Sequence, residues 1–248
     1  MSRIIMVVSG KGGTGKTTIT ANLGAVFAEK GNKVLLIDLD MGMRNLDLAL
    51  GMENRVIYDI LDILSGTCKV KQGILRDRYI GNLYMMPASQ HPEMEKLTEE
   101  SLRQLCDRVC SKFDVVLLDC PGGMGAVVEM AAAVADQALI VTTPEYAALR
   151  DADSLDRMLA RMGVSDRKCL INRIDPRLMK KGLIPSLEQI GQLLRTPIAG
   201  TILLDDAIYI GTNNGRVVSV EKGTYIYRNF NKIADRILPA DIHTQTDE

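Results

Sequence analysis

Neither sign of charge dominates this chain of 248 residues: 30 Lys and Arg stand against 31 Asp and Glu, a formal net charge of -1. That balance argues against a surface coated in positive charge, so no specific nucleic-acid partner is expected. Long apolar runs are missing too. The N-terminus passes from Met1-Ser2-Arg3 through five apolar residues into polar loop, too short for a secretory core, and no run approaches membrane-span length. A cytoplasmic chain is the simplest expectation. The five cysteines, at 68, 106, 110, 120 and 169, are odd in number, scattered and without a C-x-x-C, which excludes a disulfide framework and a usual metal knuckle. Cys106 and Cys110 share one helical face and are expected to pack inward. There is also no internal repeat, low-complexity tract or Pro/Ser-rich linker to divide the chain. With 46% hydrophobic and 25% charged residues the expectation is one domain over residues 1–240, followed by a polar tail at 241–248.

What is present is an alternation of apolar β-branched runs and amphipathic runs. Strands are expected at 3–9, 33–38, 82–86, 114–119, 137–143, 168–172 and 197–203. Helices are expected at 16–30, 57–64, 99–112, 126–135, 149–162, 187–194 and 225–238. Gly31 stops the first helix, Thr98 before Glu99 and Glu100 starts a later one, and Ser186 after Pro185 starts another. Strand, crossover helix, strand, repeated, means an α/β fold: a mainly parallel twisted sheet with helices on both faces. Ligands of such sheets sit beyond the carboxyl ends of the strands.

Between the first strand and the first helix lies "SGKGGTGKTT", in which Gly10, Gly15, Lys16 and Thr17 fit G-x-x-x-x-G-K-[ST]. The context makes it a P-loop, and Gly12, Gly13, Thr14, Gly15, Lys16, Thr17 and Thr18 are its candidate phosphate-binding residues. Gly10, Gly12, Gly13 and Gly15 are expected to adopt positive dihedrals that turn successive N–H groups inward. Lys16 neutralises the β and γ phosphates of ATP, the Thr17 hydroxyl takes a place on Mg²⁺, and the helix N-terminus adds its field. Asp119 ends the run "VVLLD", where a carboxylate supports Mg²⁺, and Asp38 and Asp40 in "LLIDLD" end the second strand, where a carboxylate orients an attacking water. Strand-end aspartates are also ordinary turn and cap residues; it is their joint placement that singles these out. Asn172 ends "KCLIN" and offers an amide to a purine edge, although strand-end asparagines also form turns.

One lysine explains the loop, and Lys11 is left over. "KGGTGKTT" with Lys11 resembles the deviant Walker-A loop of the MinD/ParA ATPases. The stretches 36–64 ("LIDLDMGMRNLDLALGMENRVIYDILDIL"), 83–90 ("LYMMPASQ"), 144–153 ("PEYAALRDAD") and 172–182 ("NRIDPRLMKKG") are similar to the division-site branch of that family, so the likeness runs to about residue 238. The resemblance implies a homodimer closed around two ATP molecules, with Lys11 crossing to the phosphates held by the other subunit. It further implies Lys16 and Thr17 on phosphate and Mg²⁺, Asp40 and Asp38 on the water, Asp119 behind the metal, Glu145 and Asp151 near the dimer face, and Asn172 with Arg173 on adenine. Slow, partner-stimulated hydrolysis, protein partners of the MinC and MinE type, and a role in septum placement follow as expectations.

The chain also departs from the pattern. Members of the family usually read "DSPAGIE" where this one reads "DCPGGMG", which puts Cys120, Gly123 and Gly125 in the second switch and removes its glutamate. Residues 225–238 resemble the last core helix, with Ile226, Phe230, Ile233, Ala234 and Ile237 in one apolar stripe. The family then continues to a basic amphipathic membrane helix, whereas the ten residues after Leu238 carry three acids and no Lys or Arg. Membrane binding is therefore not expected of the chain as given; a peripheral location would need an anchor beyond it. Other readings share parts of the pattern. A DNA-partition ATPase needs a basic face, for which "RLMKKG" is a candidate but reads as a solvated loop; an iron–sulfur scaffold needs more than the solitary Cys120. A regulator of flagellar number would share nearly every motif, and a nucleotide-switched platform would need little hydrolysis.

Overall fold

The computed structural model describes residues 2–91 and 94–239, so the expected polar tail at 241–248 lies outside the described residues. Eight strands form one sheet: β1 (Arg3–Ser9), β2 (Val34–Asp38), β3 (Leu75–Arg76), β4 (Leu83–Met86), β5 (Val115–Gly122), β6 (Gln137–Thr142), β7 (Asp166–Ile174) and β8 (Ile198–Leu203). Their order is β3-β4-β2-β5-β1-β6-β7-β8, parallel throughout except for the antiparallel β3–β4 pair. The helices are α1 (Lys16–Glu29), α2 (Leu46–Ala49), α3 (Ile60–Leu64), α4 (Glu99–Cys110), α5 (Ala126–Ala132), α6 (Tyr146–Arg161), α7 (Pro176–Lys180), α8 (Leu187–Leu193), α9 (Asp206–Asn213) and α10 (Tyr225–Ile237).

Period-two alternation distributes each strand between two cores. In β1, Ile5 and Val7 enter the layer under α1 and α10, while Ile4, Met6 and Val8 enter the layer under α3, α4, α5 and α6. In β2, Val34 and Leu36 take the first side and Leu35 and Ile37 the second. Because both faces are covered, these strands read as continuous apolar runs, which is the signature of a parallel sheet. Of α1, every residue from Ile19 to Ala28 is buried. The polar Asn22 among them is satisfied by donating to the Thr18 carbonyl at 2.8 Å and accepting from Ser219 N at 3.1 Å. The stripe expected of α10 is buried at all five positions.

Helix ends follow local chemistry. Thr98 caps α4 by accepting from Ser101 N at 3.1 Å, and Ser186 caps α8 by accepting from Gln189 N at 3.2 Å. Gly31 takes φ 97° after α1. The helix expected from residue 57 begins at Ile60, because Asp59 accepts from the N–H of Leu61 and Asp62 and so fixes the start three residues later. Strand β5 runs past Asp119 to Gly122 because Ser9 pairs with Gly122 across a bulge. The "RLMKKG" stretch is not a plain loop: Pro176–Lys180 is helical, started by Asp175, which accepts from Arg177 N at 2.8 Å, and by Pro at the first turn. Strand β3 and helices α2 and α9 were not expected either; β3 and α2, of two and four residues, show no periodicity.

Both ends of the sheet are closed by side chains. On β8, Asn229 and Arg236 of α10 donate to the carbonyls of Thr201 (2.8 Å) and Ala199 (3.0 Å), and the Tyr225 hydroxyl accepts from Leu203 N at 3.3 Å. On β3, Arg55 Nη2 donates to the Arg76 carbonyl at 2.9 Å. Among the described residues no helix is long and apolar enough to cross a membrane.

Phe230 is fully buried between α10 and the sheet, whereas Tyr209 on α9 is 71% exposed. Phe230→Ala should cost about 3–5 kcal/mol of unfolding free energy, read as a fall in the urea midpoint, while Tyr209→Ala should stay within about 0.5 kcal/mol.

Candidate functional site

The carboxyl ends of β1, β2, β5 and β7 converge on the loop between β1 and α1. Gly13 and Gly15 have φ 78° and 93°, as expected, but Gly10 and Gly12 do not have positive φ. Gly10 is there for space, as is Gly122 opposite Gly12, whereas a Cβ on Gly12 itself would meet nothing. A Cβ on Gly10 would stand 2.6 Å from Asp151 Cβ of α6, and one on Gly122 would stand 2.8 Å from the Gly12 nitrogen. Helix α6 and the end of β5 therefore touch the loop backbone directly, a packing use of glycine rather than a dihedral one.

Lys16 is buried and forms no ion pair among the described residues, yet it stands close enough to Asp40 and Asp119 to oppose their upward shifts. Asp119 is fully buried. Thr20 Oγ1 lies 3.0 Å from its Oδ1, with the Thr17 hydroxyl also directed to it, and burial pushes its carboxyl up to about 6 against these hydrogen bonds. Thr20, also 3.0 Å from the Lys16 carbonyl, was not singled out in the sequence; its place one helical turn after Lys16 was the available signal. Asp38 faces Asp119 in the β2–β5 register and is raised well above the ordinary carboxylate range, first by burial and next by Asp119. Its oxygens accept from Asp40 N at 2.9 Å and Leu46 N at 3.2 Å, so Asp38 holds the backbone of the loop that follows it. Asp40, raised by burial and lowered by Lys16, is the carboxylate of the pair that lines the cavity.

That cavity, about 790 Å³, is bounded by Gly12, Gly13, Gly15 and Lys16 to Thr18 on the loop, by Asp40, Met43, Asn45, Leu48, Ala49 and Gly51 beside it, and by Arg173 and Thr212 to Gly215. Its far wall was invisible in the sequence. Gly51 (φ 64°) and Gly215 (φ 62°) meet backbone to backbone, a Cβ on Gly215 standing 2.5 Å from Gly51 Cα, and this contact ties α2 to the end of α9. Asn172 is buried with Nδ2 donating to the Thr14 carbonyl at 2.8 Å, and Arg173 Nη1 donates to the Gly13 carbonyl at 2.7 Å. Lys11 does not line the cavity; its side chain is half-exposed, with the ammonium 3.8 Å from Glu145 Oε2, and Glu145 accepts a short hydrogen bond from Thr143. Cys120 is buried in the core with its thiol held neutral, raised first by burial and then by Asp119.

A buried unpaired lysine facing a cavity, free backbone amides at a helix N-terminus, and three carboxylates short of positive charge together fit a phosphate chain with a divalent cation. Among the described residues no group of three or more His, Cys, Asp or Glu could hold a metal alone. Mg²⁺ suits such a site, because one or two protein oxygens suffice when phosphates supply the rest.

A mainly parallel sheet with this loop between β1 and α1 defines a P-loop NTPase. The family model described as an AAA domain matches residues 2–170. The septum site-determining protein MinD of Synechocystis is 41% identical over 243 residues, covering 98% of this chain and 91% of the relative. Among solved structures, MinD in the MinC:MinD cell division complex of Aquifex aeolicus superposes with a TM-score of 0.88 at 34% identity, over 95% of this chain and 96% of that one. MinD of Pyrococcus horikoshii, complexed with Mg-ADP, gives 0.86 at 31%, over 96% and 97%. The chain belongs to the MinD family of P-loop ATPases.

The shift of Asp119 has a defined sign. Its folded pKa of about 6 lies above the ordinary 3.8, so the native state binds the extra proton between those values, and stability falls as pH rises from about 4 to about 6. Asp38, raised in the same direction, adds to the slope. Chemical denaturation of the nucleotide-free chain across this window should show Asp119→Asn gaining on the parent by on the order of 2 kcal/mol at pH 7 relative to pH 4.

Proposed function

We propose that this chain is an ATP-dependent dimerisation switch that helps to place the division septum. The observation that carries the reading is the separation of the two loop lysines: Lys16 is buried at the cavity, whereas Lys11 stands outside its own cavity, half-exposed beside Glu145. A lysine so placed is available to a second nucleotide site. Two chains meeting at their cavity rims would each supply Lys11 to the other's phosphates, as an arginine finger does, and hydrolysis would then require the pair.

The remaining roles follow from position. Gly12, Gly13, Thr14, Gly15 and Thr18 carry the loop and helix-end groups that face phosphate, and Lys16 balances its charge. Thr17 and Asp119 would hold Mg²⁺, which when bound draws charge from the phosphate oxygens. Asp40 orients the attacking water from the cavity wall, and Asp38 sets Asp40 through the backbone it holds. Arg173 lines the cavity, and the adenine role of Asn172 and Arg173 rests on the family resemblance. With no strong general base beside Asp40, hydrolysis is slow and open to stimulation by a partner. The septum assignment is supported by relatives that carry that name, and the Aquifex complex supports a partner of the MinC type.

Size analysis with ADP against a non-hydrolysable ATP analogue tests the whole reading: the analogue should give a dimer and ADP a monomer. Lys16→Ala should lose nucleotide affinity. Lys11→Ala should keep ATP on the monomer while losing dimer and turnover; equal loss of binding in both variants would remove the cross-subunit role. Asp40→Ala should leave binding intact, slow turnover by about a hundredfold and prolong the dimer, and turnover at the parent rate would exclude the assignment.

A further inference from the structure

Asn172 and Arg173 sit at the end of β7, yet both spend hydrogen bonds on the phosphate loop, at the carbonyls of Thr14 and Gly13 respectively. Arg173 does so from φ 57°, a left-handed conformation that a non-glycine residue adopts at a cost. The space is shared closely: a Cβ on Gly15 would collide with the Asn172 amide. Two consecutive loop carbonyls are thus turned toward β7 by side-chain donors.

A trans peptide points its C=O and the next N–H in opposite directions. Holding the Gly13 carbonyl toward β7 therefore turns the Thr14 N–H away from it, and holding the Thr14 carbonyl does the same for the Gly15 N–H. Neither of these N–H groups has a hydrogen-bond partner among the described residues, and Gly13 and Gly15 line the cavity. From this geometry we infer that Asn172 and Arg173 are positioning residues that preset the loop amides for phosphate, in addition to marking the adenine end. This rests on the nucleotide-site reading above. Base and phosphate recognition then share two residues, and the phosphate grip depends on them even when no base is present.

Inorganic tripolyphosphate, which has neither base nor sugar, is the discriminating probe. The full chain would be titrated calorimetrically with Mg²⁺-tripolyphosphate and with Mg-ADP as parent, Asn172→Ala and Arg173→Gly. Glycine relieves the left-handed backbone, so the second variant should fold at least as well as the parent. Each variant should weaken tripolyphosphate binding by about five- to tenfold, and ADP by at least as much, at an unchanged stoichiometry of one; a loss of folded protein would lower the stoichiometry instead. Because Asn172 is neutral, its effect cannot come from lost charge. Unchanged tripolyphosphate affinity in Asn172→Ala would overturn the inference and leave a base contact only. A parent that binds ADP but not tripolyphosphate would overturn it as well, since a preset loop holds the anion unaided. A parent that binds neither would overturn the nucleotide-site reading itself.

Discussion

The opposition of one buried ammonium, Lys16, to the carboxylates of Asp40 and Asp119, with Asp38 facing Asp119 behind them, is the interaction on which this molecule is built. Burying ionised groups without full compensation is costly, and burial pushes all three acids upward in response. The two-sided hydrophobic sheet tolerates that cost by placing every one of these groups at the carboxyl end of a strand or the start of α1, where the helix field and free amides are waiting. Ligand binding is then the completion of an unfinished charge cluster. A chain whose charges are unbalanced at one end is well suited to respond to what occupies that end.

Elements communicate with the cluster through backbone rather than through long side chains. Asp38 reaches Asp40 and Leu46 by their N–H groups, α6 and β5 rest on Gly10 and Gly12, and α2 meets the α9 turn glycine to glycine. Such contacts have little slack. The loop after β2 is thus joined to the start of α2 and, through Gly51 and Gly215, to the far wall of the cavity.

How much of this the sequence disclosed depended on range. The P-loop was legible because strand, glycine run and helix are consecutive, and the acids at 38, 40 and 119 because each closes an apolar run. Alternation and caps placed the longer elements within a few residues. What escaped depends on partners far along the chain: α2 is too short to show a period, the Gly51–Gly215 contact joins residues remote in sequence, and Thr20 gains meaning only from Asp119. The dihedral reading failed at Gly10 for the same reason, since its crowding neighbour, Asp151, lies on another element.

The side-chain closure of both sheet ends bears on colloidal behaviour. With a net charge of -1 the chain gains almost no mutual repulsion from its neighbours in a crowded solution, the condition under which exposed strand edges template aggregates. Asn229, Arg236 and Tyr225 on one flank and Arg55 on the other occupy the groups that an incoming strand would use. These edges are guarded by side-chain geometry in place of net charge.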